Sequence, residues 1–362
     1  MTDQSSDPTN QNGQHDAEQT LAHVRETYAA LRTEIAKVMG GLSVVVVLFL
    51  SCFFCGGHAG GGGGPGLAKT LLISTIARTM SLDFSRIQFT PDLMPSDITG
   101  TEVIEEDRTT GHRALRFVHG PVFANVILAD EINRTPPKTQ AALLESMQER
   151  QVTVGGVRHE LPTPFFVLAT QNPLEQEGTY PLPEAQLDRF MFQILIKYPS
   201  EAEELEVMRR SAHKADVTID RVVSPEDITR VSDAIRKVPI SDEVMRYALR
   251  LVRTTRVDEG DTEPASVPAV VRDYVSWGAG PRASEYLILG AKARALFAGA
   301  THATHEHVRE VAVPVLRHRV LLNFNAEADQ VTAEGVIRGL IEGVPTEESP
   351  EAVRAQMDDV YQ

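Results

Sequence analysis

Apolar positions follow two different patterns along the chain and divide it into two parts. In the first part, short apolar and β-branched runs alternate with segments of helical spacing, a pattern typical of a parallel α/β sheet covered on both faces. The runs that read as strands are 86–89, 123–129, 165–170 and 190–196. Beyond Pro199 the apolar-periodic segments read as helices. The sequence therefore predicts an α/β domain over 21–200 and an all-helical domain over 222–345.

The two ends of the chain differ in character from both predicted domains. Residues 1–20 are polar and acidic, with no basic segment followed by an apolar run. We therefore expect a disordered tail there and no signal peptide. Apolar residues at helical spacing then run from Leu21 to Val38 and predict an amphipathic helix. Residues 346–362 are again acidic, and we expect a frayed C-terminal tail.

An uncharged segment lies between Lys37 and Lys69, where the sequence has no Asp, Glu, Lys or Arg. Its apolar run from Leu42 to Cys55 is shorter than the ~18–20 residues that a membrane-spanning helix needs. We therefore expect a buried core helix or strand and no membrane span. An interfacial membrane anchor over 44–54 is the alternative, although the basic flanks typical of such helices are absent.

The only two cysteines of the chain, Cys52 and Cys55, form a C-x-x-C pair, and His58 follows three residues later. A redox pair or half of a metal site is one interpretation. Two buried thiols beside Phe53 and Phe54 are the other, because the sequence has no second cysteine pair. Two cysteines without a disulfide framework are typical of a reducing compartment, so we expect a cytoplasmic protein.

Composition narrows the class of function. The chain has 362 residues, of which 42% are apolar and 23% charged, as in ordinary globular proteins of roughly two domains. Its formal net charge is −15. This charge argues against a general nucleic-acid-binding protein, because neutralising phosphates needs a basic surface.

The glycine-rich stretch 60–70 follows most of the phosphate-loop pattern of Gly, four residues, Gly-Lys-Ser/Thr. Gly63, Lys69 and Thr70 are in place, and Ala68 stands at the second glycine position. In such loops backbone N–H groups cradle phosphate, the lysine reaches the terminal phosphates and the hydroxyl holds Mg²⁺. If Ala68 must adopt a positive φ, its Cβ costs ~1–2 kcal/mol. A flexible glycine linker is the alternative interpretation. The predicted nucleotide contacts in this stretch are Gly63, Gly64, Pro65, Gly66, Leu67, Ala68, Lys69, Thr70 and Leu71.

Polar residues at the ends of two predicted strands suit the transfer of a phosphoryl group to water. Asp130 and Glu131 follow the run 123–129, where one carboxylate could order Mg²⁺ and the other could polarise an attacking water. Asn172 follows the next strand and could hydrogen-bond the same water. A turn-forming Asn-Pro is the alternative role for Asn172.

Two arginines could complete such a site. Arg189 precedes a predicted strand and could reach the γ-phosphate held by a neighbouring subunit, because a planar guanidinium suits phosphate oxygens. A surface ion pair with Asp188 is its alternative role. Arg282 lies at a helix start in the second domain and could close over a nucleotide.

These residues together resemble the motifs of an AAA+ ATPase. Lys69-Thr70, Asp130-Glu131, Asn172, Arg189 and Arg282 stand, in that order, where such proteins have Walker A, Walker B, sensor 1, arginine finger and sensor 2. Longer stretches are similar to the MoxR family in particular. These stretches are 86–100, 130–134, 169–173, 187–190 and 314–319.

The resemblance to the MoxR family implies a P-loop NTPase core, a helical lid, and ATP and Mg²⁺ as cofactors. It implies a ring-shaped hexamer with chaperone-like work on a protein complex, often with a partner that carries a von Willebrand factor A domain. The roles implied are a base (Glu131), metal holders (Asp130 and Thr70), a phosphate clamp (Lys69 and Arg282), a sensor (Asn172) and a trans-acting finger (Arg189).

The block 39–68 departs from the family, since glycines replace the usual apolar strand before the loop. Glycine weakens a strand because it has no side chain to pack. One alternative is therefore a nucleotide-binding scaffold with impaired hydrolysis. A magnesium-chelatase-like ATPase subunit, which shares the architecture, is another.

Overall fold

The computed structural model describes residues 8–39, 43–64, 66–106, 113–171, 178–212, 218–257 and 267–347. The chain divides into two compact units, Met1–Ala234 and Ile235–Gln362. The strands are β1 (Ala59–Gly62), β2 (Phe84–Gln88), β3 (Gly100–Glu106), β4 (Arg113–His119), β5 (Val126–Asp130), β6 (Gln151–Val154), β7 (Val157–Glu160), β8 (Phe166–Thr170), β9 (Phe192–Leu195), β10 (Val275–Trp277) and β11 (Leu321–Leu322). The helices are α1 (Pro8–Val38), α2 (Ser43–Phe54), α3 (Lys69–Thr79), α4 (Pro95–Thr99), α5 (Pro137–Glu149), α6 (Glu184–Leu187), α7 (Glu201–Ala212), α8 (Pro225–Lys237), α9 (Asp242–Thr254), α10 (Ala269–Tyr274), α11 (Pro281–Ala298), α12 (His305–Leu316), α13 (Phe324–Ala328) and α14 (Ala333–Gly343).

The first unit is an α/β fold built on a five-stranded sheet, as the sequence predicts. The strand order is β2-β5-β8-β1-β9, and the neighbouring strands are parallel. Strands β5 and β8 are rich in Val, Leu and Ala and are buried along almost their whole length, as is usual where helices cover both faces. Their carboxyl ends therefore present Asp130 and Thr170 at the same edge of the sheet.

The glycine-rich strand β1 forms despite its composition, and it lies between β8 and β9. Side chains of the neighbouring strands occupy the space above its glycines. A Cβ on Gly60 would clash with the Gln193 amide oxygen, and one on Gly62 would meet a Leu195 methyl at 2.5 Å. Hydrogen bonds to two neighbours and this side-chain cover offset the weakness expected of a glycine strand.

The apolar run before β1 is a buried helix, which confirms the interpretation as a core element. Helix α2 buries Phe49, Phe53 and Phe54. Phe49 and Phe53 each pack edge to face on Phe166 of β8, with ring centroids 6.3 and 5.8 Å apart. Among the described residues, no helix is long and apolar enough to cross a membrane.

The C-x-x-C cysteines are free thiols buried at the end of α2. Burial raises the pKa of the Cys52 thiol well above its usual range, which makes this thiol unreactive. His58 is also buried, and both of its ring nitrogens bond to backbone groups of other elements. Within the described part of the chain, no group of three His, Cys, Asp or Glu side chains is arranged to hold a metal.

Helix α1 begins earlier than the sequence pattern indicates. It starts at Pro8 instead of near Leu21, so residues 8–20 of the predicted disordered tail are helical. Proline suits the first helical position because its fixed φ is helical and its missing N–H would be unpaired there anyway. Residues 1–7, and the part of the predicted C-terminal tail from 348 onward, lie outside the described residues.

The division between the units falls within α8, later than the 200–222 boundary that the sequence pattern suggests. The segment before α8 is bound to the first unit. Backbone N–H groups of Val222 and Val223 donate to Thr79 O at the end of α3. Asp227 also pairs with His23 of α1 at 2.9 Å.

The second unit is helical, as predicted, with one short antiparallel strand pair, β10–β11, in addition. Its long helices α11 and α12 pack against α9 around a core of buried aliphatic side chains. Side chains cap the starts of α9, α13 and α14, where Ser241, Asn323 and Thr332 accept the N–H groups of Val244, Ala326 and Gly335. Such caps satisfy N–H groups that a helix cannot bond internally.

Candidate active site

A cavity of about 460 Å³ opens where the loop between β1 and α3 faces the carboxyl ends of β2 and β5. The residues that line it are Gly63, Gly66, Leu67, Ala68, Lys69, Thr70, Leu71, Arg86, Gln88, Asp130 and Glu131. The cavity therefore brings together the glycine-rich loop and the Asp-Glu pair that the sequence singles out separately.

The loop reaches this shape through residues with positive φ. Gly63 and Gly66 have φ of 147° and 80°, and Ala68 has φ 52° and ψ 25°. Ala68 is also the residue that caps the start of α3. Ala68 therefore adopts the left-handed conformation, in which its Cβ costs ~1–2 kcal/mol of folding free energy relative to glycine. The loop forms despite this cost.

The two side chains that follow Ala68 both line the cavity. Lys69 turns back on the loop, and its Nζ donates to Gly63 O at 2.9 Å. Thr70 lines the cavity at the first turn of α3, where the positive end of the helix dipole favours anions. A lysine ammonium, a hydroxyl and a helix N-terminus therefore face one space.

Asp130 ends β5 with both carboxylate oxygens engaged. Its Oδ1 accepts from the Thr170 hydroxyl at 2.6 Å, and its Oδ2 accepts from the Arg86 guanidinium at 2.6 Å. Thr170 is fully buried. The carboxylate is held in one orientation by a neighbour on each side, one from β8 and one from β2.

Glu131 leaves the strand in a left-handed backbone conformation, with φ 58° and ψ 47°. Its N–H donates to the Thr170 hydroxyl at 3.0 Å. Its carboxylate Oε2 accepts from Gln88 Nε2 at 2.8 Å and from Arg134 at 2.9 Å. Residues other than glycine rarely adopt this conformation, and those that do are concentrated at functional sites.

Four residues of this arrangement were not singled out from the sequence: Arg86, Gln88, Arg134 and Thr170. Arg86 and Gln88 lie two apart on β2, so both side chains point to one face of the sheet. The register of β2 against β5 then sets Gln88 opposite Asp130. An alternating polar pair at a strand end is a sequence signal, but its target depends on this pairing.

Most of the predicted site residues line the cavity, and five others are not among its lining residues. Asn172 and Pro65 lie outside the described residues. Gly64 belongs to the loop but does not line the cavity. Arg189 lies half-buried in the turn after α6, in the first unit. Arg282 is the second residue of α11, half-buried, in the second unit.

Comparison with protein families agrees with this geometry. The model of the ATPase family associated with various cellular activities (AAA) matches residues 61–192, and that of the AAA lid domain matches residues 268–340. Chaperone MoxR1 of Mycobacterium tuberculosis is 41% identical over 86% of this chain and 80% of its own length. The chain belongs to the MoxR family of AAA+ ATPases. The Bacillus subtilis protein YeaC is 38% identical over 88% of this chain and 95% of its own.

A solved structure supports the assignment of the fold. A crystal structure of a protein designated a candidate ATPase, from Cytophaga hutchinsonii, superposes with a TM-score of 0.84 and 42% identity. The match covers 93% of this chain and 99% of the other. The AAA match, 61–192, includes the loop and the Asp-Glu pair, and the lid match, 268–340, lies within the second unit.

Proposed function

We propose that this chain is a Mg²⁺-dependent ATP hydrolase of the MoxR type that remodels or matures a protein complex. The observation that carries the proposal is the shared cavity, in which the glycine loop, Lys69 and Thr70 face Asp130 and Glu131. Family membership supports ATP as the nucleotide. The mycobacterial relative is named a chaperone, which supports protein remodelling.

The residues that line the cavity fit a nucleotide and its metal. Backbone N–H groups of a loop with positive φ suit phosphate oxygens, and Lys69 lies in reach of the same space. Thr70 and Asp130 offer a hydroxyl and a carboxylate, which are the hard oxygen ligands that Mg²⁺ prefers. We assign Thr70 and Asp130 as metal holders, and residues 63–71 as the phosphate and nucleotide contacts.

Glu131 serves as the general base in this proposal. Bound Mg²⁺ would supply charge neutralisation at the phosphates. Glu131 would accept a proton from the attacking water, and Asn172 would hold that water. In the structure Gln88 and Arg134 bond the Glu131 carboxylate, so they fix where the base points. Arg282 would clamp phosphate within the same chain, and Arg189 would act on nucleotide held by the next subunit.

The assembly and its setting follow from the same proposal. A finger that acts in trans requires a homo-oligomer, for which we propose a hexameric ring. The client is a protein, and a partner with a von Willebrand factor A domain suits the family. We expect a cytoplasmic location and no specific nucleic-acid partner, the latter because the net charge is −15.

ATP turnover by variants of two residues tests the proposal. Glu131→Gln should lower turnover by roughly 10²–10⁴-fold, the usual contribution of a general base, while ATP binding persists. Lys69→Ala should abolish both binding and turnover. Lys138→Ala and Glu145→Gln change the same residue types at exposed positions of α5 and should leave both unchanged. Equal rates in the wild type, Lys69→Ala and Glu131→Gln would overturn the proposal.

A nucleotide-binding scaffold is the second candidate. The strained Ala68 and the two donors on Glu131 favour it, because each could impair hydrolysis without preventing binding. Tight ATP binding by the wild type without measurable turnover would support this candidate. A magnesium-chelatase-like subunit is less favoured, because the matching relatives include proteins named MoxR.

A further inference from the structure

The two partners of the Asp130 carboxylate differ in their freedom to move. The Thr170 hydroxyl, on Oδ1, belongs to a fully buried side chain that also accepts the Glu131 N–H. The Arg86 guanidinium, on Oδ2, belongs to a side chain that is 46% exposed. Arg86 also donates to Gln88 Oε1 at 2.6 Å. Thr170 is therefore a fixed partner and Arg86 an exchangeable one.

Arg86 holds Asp130 Oδ2 within the proposed metal site. Arg86 and Asp130 line the same cavity as Thr70 and Lys69. A guanidinium and a divalent cation on the same carboxylate oxygen repel each other, so the binding of either one weakens the binding of the other. The other oxygen, Oδ1, is held by Thr170, a side chain without exposed surface that a metal ion could not displace as readily.

We propose that Arg86 is an internal counter-cation that competes with Mg²⁺ for Asp130. Arg86 neutralises this carboxylate and keeps it oriented together with Thr170. When metal binds, Arg86 gives up Asp130 and keeps Gln88 as its acceptor, while Thr170 stays. The arginine thus sets the Mg²⁺ concentration at which the site becomes loaded. This inference rests on the proposed function, because it concerns the same metal site.

Binding of a fluorescent, non-hydrolysable ATP analogue, titrated with MgCl₂, tests the competition without measuring catalysis. Arg86→Met keeps the length of the side chain and removes its charge. In this variant the half-saturating Mg²⁺ concentration should fall roughly fivefold, the equilibrium factor of a half-exposed ion pair. Analogue affinity in the absence of metal should stay as in the wild type. Arg86→Lys keeps a cation, so its half-saturating Mg²⁺ concentration should lie between those of the wild type and Arg86→Met.

The matched control is Arg116→Met, which removes an exposed arginine paired with Glu105 at 3.3 Å outside the cavity. It should leave the Mg²⁺ dependence unchanged. An Arg86→Met variant with unchanged or raised Mg²⁺ requirement would overturn the inference. So would weaker analogue binding without metal, because that result would assign Arg86 to the phosphates. Circular dichroism confirms that each variant is folded.

Failure of the proposed function has a different signature. If the wild type binds no analogue with or without Mg²⁺, the function fails, and Arg86 is then tested with Mn²⁺ alone by electron paramagnetic resonance. Arg86→Met should bind Mn²⁺ more tightly than the wild type, and adding Asp130→Asn should remove the gain. Equal Mn²⁺ binding in the wild type and Arg86→Met would overturn the competition.

Discussion

The hydroxyl of Thr170 in β8 lies 2.6 Å from the Asp130 carboxylate at the end of β5. The same hydroxyl accepts the N–H of Glu131, whose backbone is left-handed. One buried group therefore fixes the orientation of the first carboxylate and the position of the second. Asp130 and Glu131, the two carboxylates of the predicted site, therefore share one support in β8.

Thr170→Val tests this support, because valine keeps the shape of threonine and removes the hydroxyl. A buried charge-assisted hydrogen bond is lost, so the free energy of unfolding should fall by about 1–3 kcal/mol. ATP turnover should fall by roughly tenfold or more, since misplaced catalytic groups lose rate steeply. Thr170→Ser should restore both. Chemical denaturation and ATP turnover are the measurements, and wild-type values for Thr170→Val would contradict the role.

Because Ala68 is left-handed, replacing it with glycine should change the free energy of unfolding in the opposite direction to the same replacement at a helical alanine. Ala68→Gly should raise the free energy of unfolding by about 1 kcal/mol, because it removes the Cβ conflict at φ 52°. Ala141→Gly, at an exposed helical position of α5, should lower it by about 1 kcal/mol. Urea denaturation measures both. If Ala68→Gly is destabilising to the same extent as Ala141→Gly, the strain at the loop is absent.

His58 gives the fold a dependence on pH. Its Nδ1 accepts the Val167 N–H at 3.1 Å and its Nε2 bonds to Met147 O at 3.2 Å, an arrangement that needs the neutral ring. Burial lowers the pKa of His58 from 6.5 to about 4. The unfolded chain therefore binds a proton before the folded one does. The contribution of the neutral His58 to the free energy of unfolding is fully present above about pH 6.5. It falls as the pH drops towards 4 and changes no further below that value.

The loss from His58 should reach about 3 kcal/mol at pH 4, as expected for a shift of this size. His58→Asn, which keeps an acceptor near the ring position and cannot titrate, should be less stable at pH 7.5 but should have a shallower slope between pH 6.5 and 4. Denaturation at a series of pH values provides the comparison. Parallel curves for the wild type and the variant would contradict the assignment.

The packing of α2 on the sheet distinguishes a core helix from a membrane anchor. Phe53 is buried against Phe166, whereas Val44 on the same helix is 71% exposed. Phe53→Ala should lower the free energy of unfolding by about 3–5 kcal/mol, and Val44→Ala should change it by less than about 0.5 kcal/mol. Neither should change sedimentation with phosphatidylcholine vesicles. Vesicle binding by the wild type that Val44→Ala weakens would favour the anchor.

The sequence predicts the parts of the site that are local in the chain. Lys69 and Thr70 follow a glycine loop, and Asp130 and Glu131 end an apolar strand, so spacing and strand polarity are enough to locate them. Arg86 and Thr170 gain their roles from strand pairing instead. Their targets lie in β5, and only the order β2-β5-β8 places them on opposite sides of Asp130.

Helix α1 and strand β1 show the same distinction within the fold. The apolar spacing of α1 predicts its packed part from Leu21 onward, but the backbone continues as a helix back to Pro8, where the apolar spacing gives no signal. Strand β1 has almost no strand propensity of its own. It forms because β8 and β9 supply hydrogen bonds and cover its glycines with Leu168, Gln193 and Leu195.

The sequence by itself determined the family, the α/β core followed by helices, and the residue types that can meet a nucleotide. These properties depend on short-range pattern, because periodicity and motif spacing are set along the chain. The tertiary structure decided that Ala68 is left-handed and that Arg86 and Thr170 hold Asp130 from opposite sides. Those contacts join residues far apart in sequence, and only the register of parallel strands fixes which side chains meet.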